Sequence, residues 1–236
     1  MIFLVAVRLT RAQSAARTRR RLLESAQRVF FERGFHGASL EAVAEEAGLT
    51  KGAVYSRFVS KADLFLAYQE ERNERTIERV GYRLAELQSG DWPLDVIVEH
   101  WRNRLLHESL EQSLLVIEFW ASACRDPEVH RRFSDQHERV MAGVADHLDA
   151  AATRLGVKLP MPGLELVRVS TGIAHGLALE QLMNREKVDA RMIELAFTPI
   201  HQSSVPENSS ARQEPGGNRQ IEQRREDGRR GRGRGR

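Results

Sequence analysis

Apolar residues recur at three- and four-residue spacing along most of the chain up to Gln202, and no run alternates for long enough to make a strand. From about Thr18 to Arg33, Leu22, Leu23, Ala26, Val29, Phe30 and Phe31 share one face, and Gly34 stops the run. Ser39 is a good N-cap for a second, short helix, because its hydroxyl can accept from a free first-turn N–H. Leu40, Val43, Ala44 and Ala47 give that helix its buried side, and Gly48 supplies the residue able to take positive φ at its end. Thr50 can cap a third helix, Thr50 to Phe58, with Ala53, Val54 and Phe58 inward and Lys51, Gly52, Tyr55, Ser56 and Arg57 outward.

Ser60 can then cap a long helix from about Lys61 to Gln88, with Leu64, Phe65, Ala67, Tyr68, Ile77, Val80, Leu84 and Leu87 as its apolar stripe. Its middle, EERNERTIER, is very polar, as expected of a helix that bridges two domains with less burial. Asp91-Trp92-Pro93 marks the next start, since proline is tolerated in a first helical turn. Helices near 93–107, 110–125 and 127–155 follow, broken at Arg125-Asp126-Pro127 and Gly156. LPMPG (159–163) separates these from helices near 164–185 and 188–199. The expected class is all-α, with an N-terminal three-helix unit and a larger helical body.

Two short helices joined by a glycine-containing turn match the helix-turn-helix, whose second helix enters the DNA major groove. The stretch GFHGASLEAVAEEAGLTKGAVYSRFVSK (34–61), continued by Leu64, resembles the N-terminal domain of the TetR/AcrR family of transcriptional regulators. Ala-Gly-Leu-Thr-Lys-Gly followed by Tyr-x-x-Phe-x-x-Lys-x-x-Leu at this spacing carries the resemblance, which covers about a quarter of the chain. It implies that Tyr55 and Lys61 hold phosphates, with Ser39 and Thr50 assisting from helix N-termini. A half-buried core tyrosine is the alternative for Tyr55. Lys51, Gly52, Ser56 and Arg57 lie nearest the base edges in this arrangement, with Arg57 able to fork onto guanine and Gly52 letting the backbone come close. Family members often carry His where Arg57 stands, which bears on the operator sequence and not on binding itself.

Charge is unevenly placed. Residues 1–61 carry eleven Lys/Arg against five Asp/Glu, residues 62–202 sixteen against twenty-three, and residues 203–236 nine against five. A basic N-terminal unit on an acidic body suits phosphate binding at one end. Arg17, Arg19, Arg20 and Arg21 are candidates for that contact, or simply a solvated helix start. The single cysteine, Cys124, excludes an intramolecular disulfide and a cysteine-rich zinc site, and fits a reducing cytoplasm. MIFLVAV at the start is too short to span a bilayer, which needs roughly 20 apolar residues, and no basic segment precedes it as in a signal peptide. Residues 1–16 are expected to be a disordered extension. From 203 to 236 almost nothing apolar remains, so a disordered basic tail is expected. Its Arg-Gly alternation can neutralise phosphates or merely keep the chain soluble.

Residues 17–62 thus read as the DNA-binding domain and 63–202 as an effector-binding and dimerisation domain. One module reads too few base pairs for useful specificity, so a homodimer on a near-palindromic operator is expected. The helices near 164–185 and 188–199 resemble the pair that forms the family's four-helix dimer bundle. In VRVSTGIAHGLALEQLM (167–183), Ser170, Gly172, Ala174, Gly176 and Ala178 alternate with Val169, Ile173, Leu177 and Leu182, which allows close packing. For a small-molecule effector, His100, Trp101, Ile117, Trp120, Cys124 and His175 are the candidate contacts; a Trp at helical spacing is more often plain core, and His175 more often an interface hydrogen bond or a buried neutral histidine. No metal-ligand spacing, cofactor motif or catalytic constellation stands out, so an enzyme is not expected. The expected activity is that of a sequence-specific regulator, a repressor released from DNA by the effector. The alternatives are a redox sensor switching through Cys124 and a non-specific architectural DNA binder aided by the tail.

Overall fold

The computed structural model describes residues 10–107 and 110–202, and the described residues contain helices and no strand. The first helix begins earlier than the apolar pattern suggests, because Thr10 and Gln13 form a capping box. The Thr10 hydroxyl accepts from the Gln13 N–H at 3.2 Å, and the Gln13 side chain accepts from the Thr10 N–H at 2.9 Å. Residues 10–16, expected in a disordered extension, are therefore the cap, Thr10, and the opening turns of α1 (Arg11–Gly37). Residues 1–9 and the tail from 203 lie outside the described residues. Gly34 interrupts α1 with φ 67°, so the regular helix does end where the sequence placed its stop.

α2 (Leu40–Glu46) and α3 (Lys51–Tyr55) follow, then α4 (Lys61–Glu86), α5 (Pro93–His107), α6 (Leu110–Ala123), α7 (Pro127–Leu155), α8 (Gly163–Met183) and α9 (Ala190–Gln202). α3 is shorter than expected, with Ser56 as its C-cap, although Phe58 beyond it is still buried. α7 is bounded as its sequence implies: Asp126 accepts from the Glu128 and Val129 N–H groups, and Gly156 ends the helix in the left-handed conformation, φ 67°. α8 stops at Met183 and a 3-10 turn, Arg185–Lys187, links it to α9, which runs on past Pro199.

Three apolar clusters hold these helices together. The first joins α1, α2, α3 and the start of α4 through Leu22, Phe30, Val43, Val54, Leu64 and Phe65, and it also takes in Leu115, Phe119 and Ala123 of α6. Phe119 is fully buried and stacks on Phe65 at 4.2 Å between centroids, with Phe35 edge-on at 5.1 Å. The second cluster packs the far half of α4 with α5, α7 and α8, around Leu84, Leu148 and Leu166. The third sets α9 against α5 and α8 through Ile193 and Phe197. α4 passes from the first cluster into the second, pinned to α7 by an Arg132–Asp63 ion pair and by the Gln136 amide donating to the Leu66 carbonyl at 3.1 Å.

Phe119→Ala empties the centre of an aromatic cluster shared by α6 and the N-terminal helices. The expected cost is about 3–5 kcal/mol in urea unfolding, against a much smaller loss for Phe119→Leu.

Candidate functional site

Two regions of the fold carry candidate chemistry. In the first, α2 and α3 are held rigidly on their inner side and polar on their outer side. Ser39 Oγ accepts from the Ala42 N–H at 3.1 Å and Thr50 Oγ1 from the Ala53 N–H at 3.3 Å, so both predicted caps form. The turn between them closes through the Gly48 N–H donating to the Glu45 carbonyl and the Leu49 N–H to the Ala44 carbonyl, each at 2.9 Å. Gly48 sits at φ 59°, as the turn requires. Val54 is fully buried and anchors α3.

The outer face carries Lys51, Gly52, Tyr55, Ser56 and Arg57, all exposed. Only Thr50 Oγ1, at 4.0 Å, lies near the place where a Cβ on Gly52 would stand, so the backbone is open to close approach there. Tyr55 is half exposed, not a core residue, and its hydroxyl donates to Glu41 Oε1 at 2.7 Å. That hydrogen bond lowers the Glu41 pKa and raises that of Tyr55. The Arg57 guanidinium folds back on the Ala53 carbonyl at 3.0 Å and the Ser56 hydroxyl at 3.1 Å. Lys61 turns toward the protein: its ammonium donates to the His36 carbonyl at 3.1 Å and lies 4.6 Å over the Phe35 ring. Desolvation lowers its pKa, opposed by the nearby Glu118 carboxylate.

The second region is a cavity of about 110 Å³ among α4, α5, α6, α7 and α8. Four of the expected ligand residues, His100, Trp101, Trp120 and His175, line it; Ile117 and Cys124 do not. On α6 the positions 115, 119 and 123 face the first core, so Val116 and Trp120 look onto the cavity and Ile117 lies further round. Cys124 falls beyond the end of the helix and is exposed. Trp120 meets His175 edge-on at 4.8 Å, and Trp101 lies 6.1 Å from the same imidazole. Arg104 sits 5.4 Å from the Trp101 ring centroid.

Sequence reasoning missed the contribution of α4. Gln69, Arg72, Asn73 and Thr76 line the cavity, so the polar middle of that helix is a wall of the site as well as a bridge. The available signal was a polar residue at each of positions 69, 72, 73 and 76, which share one helical face. Buried among neighbours, Gln69 Oε1 and Trp120 Nε1 have no hydrogen-bond partner. Desolvation, helped by Arg104, lowers the His100 pKa to about 3 and that of His175 to about 4. No group of His, Cys, Asp and Glu able to hold a metal ion occurs among the described residues.

Helix α6 connects the two regions. Glu118, on the α6 segment that carries Trp120 into the cavity, accepts from the Phe35 N–H at 2.7 Å. A Cβ on Gly34 would stand 2.9 Å from that carboxylate, so the glycine clears the space as well as taking positive φ.

Both histidines are neutral at pH 7, and the unfolded chain takes up their protons before the folded one does. Stability is therefore complete above the ordinary pKa of 6.5 and falls as the pH drops toward about 4 and about 3. Thermal melts between pH 7 and pH 4.5 should show a decline that His100→Gln or His175→Gln flattens, each ring contributing a slope of at most about 1.4 kcal/mol per pH unit.

The comparisons with known proteins agree with this architecture. Residues 22–68 match the family described as bacterial regulatory proteins, tetR family, and residues 104–202 match the BetI-type transcriptional repressor C-terminal family. The regulator UidR of Escherichia coli K12 is 31% identical over 131 residues, 56% of this chain and 64% of UidR, so the match spans less than two thirds of that relative. Salmonella enterica GusR superposes with a TM-score of 0.60 at 21% identity, covering 83% of this chain and 98% of that one. A regulator from Saccharomonospora viridis, solved in complex with choline, superposes with a TM-score of 0.58 at 18% identity over 79% and 95% of the two chains. The described residues include no helix long and apolar enough to cross a membrane. With TetR-type families matched at both ends of an all-helical fold, the chain belongs to the TetR family of transcriptional regulators.

Proposed function

We propose that this regulator is a cytoplasmic homodimeric repressor that leaves a near-palindromic operator when a small molecule enters the cavity of each body. The observation that carries the reading is α6, which joins the first core through Phe119, the cavity through Trp120 and the α1–α2 junction through Glu118. Residues 17–62 supply the reading module and 63–202 the effector-binding and dimerisation body. A ligand that displaces Trp120 moves α6, and with it the contacts that orient α2 and α3. Only a difference in ligand affinity between the two arrangements drives release, so operator DNA must weaken the effector by the same factor.

On DNA, Lys51, Gly52, Ser56 and Arg57 face the bases, while Tyr55, Lys61 and the capped N-termini at Ser39 and Thr50 face phosphates. Tyr55, Arg57 and Lys61 reach it by exchanging intramolecular hydrogen bonds for contacts with DNA. The dimer is supported by an exposed face of α8 on which Val169, Gly172, Gly176, Leu179 and Met183 repeat at three- and four-residue spacing. Nothing lies within 4 Å of a Cβ on either glycine, so a partner helix can come close there. Met192 and Leu195 of α9 are exposed as well, whereas Ser170, Ala174 and Ala178 turn inward. A protein of the same fold from Saccharomonospora viridis was solved in complex with choline, in keeping with a small-molecule ligand.

The direct test is a footprint on DNA flanking the protein's own gene, with competitor DNA. A protected near-palindrome that survives competitor is expected, and diffuse protection lost to competitor would favour the architectural alternative. Arg57→Ala should cost about 1–3 kcal/mol and relax the preference at one base pair of each half-site. Sedimentation should find the wild type dimeric and a Leu179→Glu, Leu195→Glu double variant monomeric but still helical. A dimeric double variant would move the interface elsewhere.

A further inference from the structure

We infer that Glu41 is a built-in competitor for operator phosphate: it holds the Tyr55 hydroxyl in the free protein and so restrains the affinity of this regulator for DNA. This deepens the reading above, in which Tyr55 meets a phosphate, and rests on it. The Tyr55 hydroxyl donates to Glu41 Oε1 at 2.7 Å, from α3 to the first turn of α2. The tyrosine is half exposed, on the face that also carries Lys51, Gly52, Ser56 and Arg57. A phenol has a single O–H, so a phosphate oxygen that binds Tyr55 needs the donor the carboxylate already uses. Glu41 is ionised at neutral pH: the Tyr55 hydroxyl holds its carboxyl below the usual range, followed by its own backbone N–H, Lys51 and Ser39. Ser39, Lys51 and Tyr55 are the side chains expected to face DNA, so this carboxylate draws on the groups a phosphate would use.

The three side chains that must turn outward differ in what they give up. Arg57 leaves the Ala53 carbonyl and the Ser56 hydroxyl, and Lys61 leaves the His36 carbonyl, all uncharged acceptors. Tyr55 leaves a carboxylate, and a hydrogen bond to an ionised acceptor is roughly twice as strong as a neutral one. Once released, the carboxylate remains beside the incoming phosphate, where like charges repel. Glu46, at the other end of α2, is instead paired with Arg28 at 2.5 Å. Because the competition concerns the DNA backbone, its cost falls on every sequence alike. Glu41 therefore weakens non-specific binding and keeps the operator complex within reach of release.

A double-mutant cycle on the full-length protein tests this, with affinity read by fluorescence anisotropy at fixed salt on the footprinted operator and on a random-sequence duplex. Glu41→Ala should tighten both by about tenfold or more, and Glu41→Asp, which keeps the charge but is too short to hold Tyr55, by at least about threefold. In a Tyr55→Phe background both gains should fall to about twofold or less, so that Tyr55→Phe costs more in Glu41→Ala than in the wild type. Thermal melts check that each variant keeps its fold. A gain from Glu41→Ala that Glu41→Asp lacks, or that persists beside Tyr55→Phe, would assign the effect to charge repulsion and overturn the inference, as would no gain at all. If Tyr55→Phe weakens binding by the same factor in both backgrounds, Tyr55 still meets DNA and only the competition is refuted. If it weakens binding in neither, the phosphate reading of Tyr55 fails as well.

Discussion

The burial of Phe119 is the constraint on which the rest of this molecule depends. Stacked on Phe65 and capped by Phe35, it makes a helix of the body part of the core of the DNA-reading unit. A fully buried phenylalanine resists displacement, since interiors are close-packed and have few alternative arrangements. α6 consequently cannot shift at Trp120 without disturbing the packing beneath α1 and α4. The Glu118 hydrogen bond to the Phe35 N–H adds direction, because the accepting carboxylate sits where α1 breaks and the chain turns toward α2.

The cavity follows from the same economy of helix faces. α4 spends its apolar residues at both ends, Leu64–Tyr68 in the first core and Val80 and Leu84 in the second, and the stretch between them is left with amide, guanidinium and hydroxyl groups. Such groups are costly to bury without partners, so the space beside them does not close as a dry core would. The facing helices bring histidines and tryptophans, which combine apolar area with one polar edge. Burial keeps those imidazoles neutral.

Much of the reading unit was legible in the chain. Ser39, Gly48 and Thr50 announce a helix, a turn and a second helix, and each forms the local hydrogen bond or backbone angle that its chemistry favours. The inward set, Val43, Val54, Leu64 and Phe65, follows from helical spacing alone. Less was legible in the body. Trp101, Trp120, His100 and His175 were recognisable as candidates, but Ile117 and Cys124 carry the same apolar signal and lie elsewhere. Periodicity tells that a helix has an apolar side. It does not tell which of two apolar sides meets a core and which meets a cavity.

What the sequence determined by itself is therefore local: helix positions, most caps and breaks, the outward polar set of α3, and the family of the reading unit. These are set within a few residues, where propensity, capping and the 3.6-residue period act without reference to the rest of the chain. Tertiary structure alone decided that α6 belongs to the N-terminal core, that Gln69, Arg72, Asn73 and Thr76 face the cavity, and that Gly172 and Gly176 turn outward while Ala174 and Ala178 turn in. Each of these depends on residues far apart in sequence competing for the same buried space, and a competition of that kind leaves no periodic trace in any one segment.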